Sequence, residues 1–144
     1  MGKEGQIQAS RKLIVPNRME EIRTITAALE EFFEQQGLPP EALFNTQLSL
    51  EEIFTNVASY AHDDDQEHEV EIILSREGET ITVEILDDGS PFNPLEDAPE
   101  LDVESSLEDR GIGGAGIMLA KQLMTELRYR RNSDRNHLTM IKKI

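Results

Sequence analysis

The chain has 144 residues, no cysteine and a formal net charge of −15, with 29 acidic side chains against 14 basic ones. That length suffices for one unit with a sizeable core, the missing cysteines exclude disulfides, thiolate metal sites and cysteine nucleophiles, and the acidic balance argues against direct binding to nucleic acid or an anionic membrane, whose phosphates need cationic partners. No apolar run approaches the roughly 20 residues of a membrane span and the polar start lacks the apolar stretch of a secretory signal, so a cytoplasmic protein is expected.

Residues 1–10 read as a flexible N-terminus ahead of one domain over residues 11–144. Lys12 to Val15 reads as a short strand stopped by Pro16, after which Asn17 can cap a helix. Met19, Ile22, Ile25, Ala28, Leu29, Phe32 and Phe33 carry helical spacing to about Gln36, with Gly37 as the stop and Pro39-Pro40 opening a second helix. In that second helix Leu50, Ile53, Phe54, Val57 and Ala61 form one apolar stripe, while Glu52 and Asn56, four residues apart, project together from another face. They read either as an ordinary solvated face or as a fixed mount for a carboxylate and a carboxamide. An acidic turn from His62 to Glu67 ends the helix.

Val70, Ile72 and Leu74, then Ile81, Val83 and Ile85, alternate as two strands joined at Glu77-Gly78-Glu79. Counting on by two from Ile85 reaches Asp87. If the strand persists, its carboxylate points to the core side and needs a partner; otherwise Asp87-Asp88-Gly89 is only a turn. From about 90 to 112 no period holds, prolines interrupt and acidic residues dominate, which suits a lid or binding loop. The segment delivers the chain into Gly111-Ile112-Gly113-Gly114-Ala115-Gly116 and then a helix with Ile117, Leu119, Ala120, Leu123 and Met124. Two strands, about 126–131 and 137–143, close the sequence across Asn132 to Asn136. His62, His68 and His137 fit no metal-ligand spacing and read as surface residues. The basic run Arg128, Arg130, Arg131, Arg135, Lys142 and Lys143 reads as solvated hairpin faces.

A glycine-rich helix entry exposes N–H groups at the positive end of the helix dipole and suits phosphate, although a hinge with close helix packing would use the same residues. The spacing Gly111-x-Gly113-x-x-Gly116 is not a dinucleotide fingerprint, because no strand directly precedes it and no βαβ unit follows. An acidic protein holding a polyphosphate calls for magnesium, for which Asn56 offers a neutral oxygen, and Glu52 one turn earlier is placed to take a proton.

Taken in order, Glu52-Ile53-Phe54-Thr55-Asn56, Asp87-Asp88-Gly89-Ser90-Pro91-Phe92 and Gly113-Gly114-Ala115-Gly116 resemble the N, G1 and G2 boxes of the GHKL ATP-binding superfamily. The compact size looks most like its stand-alone anti-sigma-factor serine/threonine kinases. The resemblance implies a Bergerat-type α/β sandwich, an α+β two-layer fold with a mixed, mostly antiparallel sheet and helices on one face. It implies ATP and Mg²⁺ as cofactors, with Asn56 ligating the metal, Glu52 as catalytic base and Asp87 receiving the adenine amino group. Gly89 would let the base approach, the amides of Gly113, Gly114, Ala115 and Gly116 would hold phosphates, and Thr139 would assist Asp87. The implied activity is phosphorylation of a serine or threonine on a STAS-fold antagonist protein that competes with a sigma factor for the kinase, and a homodimer is in keeping with it. The alternative from another class is an ATP-gated module that sequesters a sigma factor or other regulator with little or no phosphoryl transfer. Where the sporulation and stress kinases carry Glu-Arg before the last box, this chain has Gly111 and Ile112, a departure that touches partner contacts more than ATP binding.

Overall fold

The computed structural model describes residues 7–60, 67–91, 93, 95 and 114–144. Most of the lid expected at about 90–112, the glycines before Gly114 and the acidic turn after the second helix lie outside the described residues. Strand β1 (Ala9–Pro16) leads through a single 3-10 turn (Met19–Glu21) into helix α1 (Ile22–Gln35), followed by α2 (Pro40–Tyr60), β2 (Glu69–Glu77) and β3 (Thr80–Asp87). Helix α3 (Gly114–Leu123) and strands β4 (Glu126–Asn132) and β5 (Arg135–Lys143) complete the fold.

The strands form one sheet in the order β1-β2-β3-β5-β4. All four pairings are antiparallel, so the described sheet is narrower in kind than the mixed one expected. The physical reason lies in the last hairpin. β3 and β4 run the same way with α3 between them in sequence, but β5 folds back into the gap and satisfies both.

Alternation, strictest in β3, directs the apolar side chains of the central strands to one face of the sheet. Val70, Ile72 and Leu74 of β2 lie beside Ile81, Val83 and Ile85 of β3, with Leu138 and Met140 of β5 next to them, all inside the core. Ile25, Leu29, Phe32 and Phe33 of α1 and Leu50, Ile53, Phe54 and Val57 of α2 join the same cluster, which places the helices on this face. Each such side chain contributes about 1.5–3 kcal/mol by leaving water.

Helix α1 ends in a Schellman motif. The Gly37 N–H donates to the Glu34 carbonyl at 3.1 Å and the Leu38 N–H to the Phe33 carbonyl at 3.0 Å, with Gly37 at φ +63°. A Cβ at Gly37 would meet nothing within 4 Å, so its cost would be backbone strain alone. Gly37→Ala is therefore expected to destabilise the protein by about 1 kcal/mol, read as a lower urea midpoint at unchanged slope. Asn17 does not cap the helical turn as expected. Its Oδ1 accepts the His68 N–H at 3.0 Å and so ties the end of β1 to the start of β2.

Candidate nucleotide site

Helix α2 is covered on two sides, by the sheet and by α3, whose Ile117 and Ala120 are buried. This second cover changes the position of Asn56, which sits fully buried rather than on a solvated face with Glu52. Its Nδ2 donates to the Glu52 carbonyl one turn back at 2.8 Å, which fixes the amide. Its Oδ1 has no hydrogen-bond partner among the described residues, a status shared only with the Thr46 hydroxyl. A buried amide oxygen without a donor costs about 1–3 kcal/mol, so this atom calls for a partner beyond the described residues. Glu52 is half-buried, and burial, followed by the neighbouring Glu51 carboxylate, holds its carboxyl above the ordinary carboxylate range. Glu51 itself is engaged by the Thr26 hydroxyl, which donates to it at 3.3 Å.

Strand β3 does run through Asp87, whose side chain follows Val83 and Ile85 to the helix-covered face and is 2% exposed. Asp87 and Asn56 are thus both buried on the same side of the sheet. The Asp87 Oδ1 accepts the Gly89 N–H at 2.9 Å and the Asn136 Nδ2 at 3.0 Å. The first bond closes the Asp87-Asp88-Gly89 turn on itself and keeps Gly89, which is buried, close beneath the aspartate.

Asn136 carries no motif in the sequence, yet it takes the place expected of Thr139. In the β3–β5 register Asp87 pairs with Asn136, whereas Thr139 pairs with Glu84. Because side chains alternate, Thr139 points to the opposite face of the sheet from Asp87, and the expectation that it assists the aspartate is corrected on parity alone. There it lines a cleft of about 290 Å³ with Glu84, Arg128, Arg130 and His137. His137 also departs from the surface role expected of it. It is 8% exposed, accepts from Arg130 Nε at Nδ1 (3.3 Å) and is bonded through Nε2 to Glu84 at 2.8 Å, which puts the ring proton on Nε2.

Helix α3 begins at Gly114, so Gly114, Ala115 and Gly116 form its first turn, where backbone N–H groups have no partner within the helix. Gly113 lies outside the described residues. The other end is tied down by the Lys142 ammonium, which donates to the Leu123 carbonyl at 2.7 Å and complements the negative end of the dipole. Among the described residues no group of three or more His, Asp or Glu could hold a metal ion by itself. A divalent ion here would share Asn56 Oδ1 with oxygens supplied by a phosphate ligand, which is the way magnesium is commonly held.

The two-layer fold thus buries Asn56 of α2 and Asp87 of β3 on one side of the sheet, with α3 packed against α2. The chain belongs to the histidine kinase-like ATPase domain family, whose model matches residues 15–142. It is similar to the serine/threonine-protein kinase BtrW of Bordetella bronchiseptica, with 28% identity over 97 residues that span 67% of this chain and 68% of BtrW. Its fold is that of part of the crystal structure of the RsbU and RsbW domains of a Mycobacterium tuberculosis protein, with a TM-score of 0.68 at 13% identity over 94% of this chain. The match takes in 32% of that longer structure, so the present chain spans about a third of its length. No helix among the described residues is long and apolar enough to cross a membrane.

Proposed function

We propose that the protein is a Mg-ATP-dependent serine/threonine protein kinase of the anti-sigma type, acting in the cytoplasm on a STAS-fold antagonist protein. Residues 11–144 would act as one ATP-binding unit with the segment at about 90–112 as its lid. The observation that carries the reading is the pair on α2: Glu52 with a raised proton affinity and, one turn away, Asn56 with a buried Oδ1 that no described residue bonds. Magnesium, when bound with ATP, supplies charge neutralisation at the phosphates. Asn56 holds its oxygen toward the ion, Asp87 accepts the base amino group, and Gly89 leaves room for the ring. The amides of Gly113 to Gly116 receive the phosphates at the helix entry. Glu52 takes the proton of the attacking serine or threonine hydroxyl, and its raised proton affinity makes it, once ionised, a stronger base than an ordinary carboxylate.

BtrW is named a serine/threonine-protein kinase, which supports the reaction type. The test is to incubate the protein with labelled ATP, Mg²⁺ and the STAS-domain proteins of the same genome. Alkali-labile phosphate on one of them, abolished by EDTA, is the expected result. A panel that captures no phosphate while one member is retained in an ATP-dependent complex would replace the kinase with the sequestering module.

A further inference from the structure

The structure assigns two residues of the edge strand β4, Arg131 and Tyr129, as positioning residues that set base selectivity through Asn136 and Asp87. This inference rests on the nucleotide reading of the site and extends it to residues outside the three sequence boxes. Asp87, Asn136 and Arg131 occupy one row across β3, β5 and β4 on the helix-covered face, and Tyr129 sits two residues earlier on β4. Asn136 is 4% exposed and uses both ends of its amide. Its Nδ2 donates to Asp87 Oδ1 at 3.0 Å and to the Ser90 carbonyl at 2.9 Å. Its Oδ1 accepts the Tyr129 hydroxyl in a close hydrogen bond and an Arg131 NH1 proton at 3.3 Å. The same NH1 donates to the Gly89 carbonyl at 2.7 Å, so Arg131 reaches across β5 to the turn itself.

The polarity of this chain has one solution. A guanidinium has donors and no acceptor, so the end of the Asn136 amide that faces Arg131 must be the oxygen. The NH₂ end then faces Asp87, and a flipped amide would set oxygen against carboxylate and NH₂ against guanidinium. Arg131 therefore keeps Asn136 donating to Asp87 Oδ1, alongside the Gly89 N–H. Donation from the Gly89 N–H and the Asn136 amide fixes the carboxylate in its present orientation. A carboxylate oxygen held in that orientation accepts the exocyclic amine of adenine and repels the carbonyl oxygen that hypoxanthine or guanine carries at the same place. The discrimination thus depends on a donor supplied two strands away from the aspartate.

The experiment measures equilibrium binding of Mg-ATP and Mg-ITP to the wild type and to Arg131→Met, Arg131→Lys and Tyr129→Phe. ITP differs from ATP in presenting a carbonyl where adenine has its amine. Wild type is expected to prefer ATP by at least about a hundredfold, since a site built to bond a donor strongly rejects an analogue lacking it. Arg131→Met should shrink that preference about tenfold, mostly by weakening ATP. Arg131→Lys, which restores a donor, should recover much of the preference, a rescue that a merely structural arginine would not show in the ratio. Tyr129→Phe removes one oxygen from an otherwise intact strand and should move the ratio in the same direction, so the relay stays testable even if the methionine variant folds poorly. Equal losses for ATP and ITP, or an unchanged ratio in both Arg131→Met and Tyr129→Phe, would overturn the relay while leaving the nucleotide site standing. A wild type that binds both nucleotides alike would likewise overturn the relay alone, whereas one that binds neither would remove the nucleotide reading and the relay with it.

Discussion

Glu52→Gln is expected to reduce phosphoryl transfer by about 10²- to 10⁴-fold, the range removed with a general base, while Mg-ATP affinity stays within about threefold. The two readouts separate because Glu52 is assigned to the attacking hydroxyl and Asn56 to the metal-bound phosphates. Wild-type turnover should fall on acidification at a pH above that of an ordinary carboxylate, since burial and Glu51 raise the proton affinity of Glu52. The stability effect has the opposite sense to that of a salt-bridged carboxylate. The folded protein holds this proton more tightly than the unfolded chain, so the group costs stability as pH rises from the ordinary value through the raised one. The glutamine variant should therefore be at least as stable as wild type at neutral pH. Rapid-quench assays across pH 5 to 8 and a thermal melt at pH 7 check both halves. A variant that still transfers phosphate at wild-type rates would remove Glu52 from the chemistry, and one that loses transfer but still captures the partner would identify capture as a separable task.

Asn56→Leu is expected to act in opposite directions on function and stability. Leucine keeps the branched outline of asparagine but carries no oxygen, so the Mg²⁺-dependent part of ATP affinity should be lost, a fall of about a hundredfold or more. The same substitution removes a buried oxygen that no described protein group satisfies. Against the lost Nδ2 bond to the Glu52 carbonyl, the balance should favour the variant by about 1 kcal/mol, a rise of several degrees in Tm without nucleotide. Calorimetric titration with and without Mg²⁺, beside a melt of the free protein, gives both numbers. A variant that melts lower and still binds Mg-ATP would mean that Asn56 serves the core and not the ligand.

The fold is legible in the sequence wherever the information is local. β3 can be followed as far as Ile85 by its alternation, while the sequence leaves Asp87 open between strand and turn until the structure shows the strand running through it. The helices are readable for the same reason, with Ile25, Leu29, Phe32 and Phe33 at helical spacing and Gly37 able to adopt positive φ at the stop. Asn56 stands out as a candidate but on the wrong kind of surface, since its burial depends on a later helix covering α2. Thr139 is expected from the family resemblance alone, and Asn136 escapes notice because His137-Leu138-Thr139-Met140-Ile141 in β5 is substantially covered on both faces, which blurs the alternation. The missing cue is the turn. Ser133 and Asp134, at φ 53° and 62°, close a two-residue hairpin that pairs Asn132 with Arg135 and so sets the facing of every residue in β5. His137 is hidden for a different reason: Glu84 and Arg130, which enclose it, come from the two neighbouring strands, and no spacing along the chain announces such a meeting.

The strand that comes latest in the sequence is an interior member of the sheet, seated between β3 and β4. Everything synthesised before it can assemble the β1-β2-β3 part of the sheet but must leave β3 with one open edge, and the Asp87 carboxylate without the Asn136 amide. Pairing across such long separations is slow compared with the closing of hairpins and helices. Nascent chains should therefore stay sensitive to protease and unable to retain nucleotide until β5 has cleared the ribosome, and then acquire both properties in one concerted step.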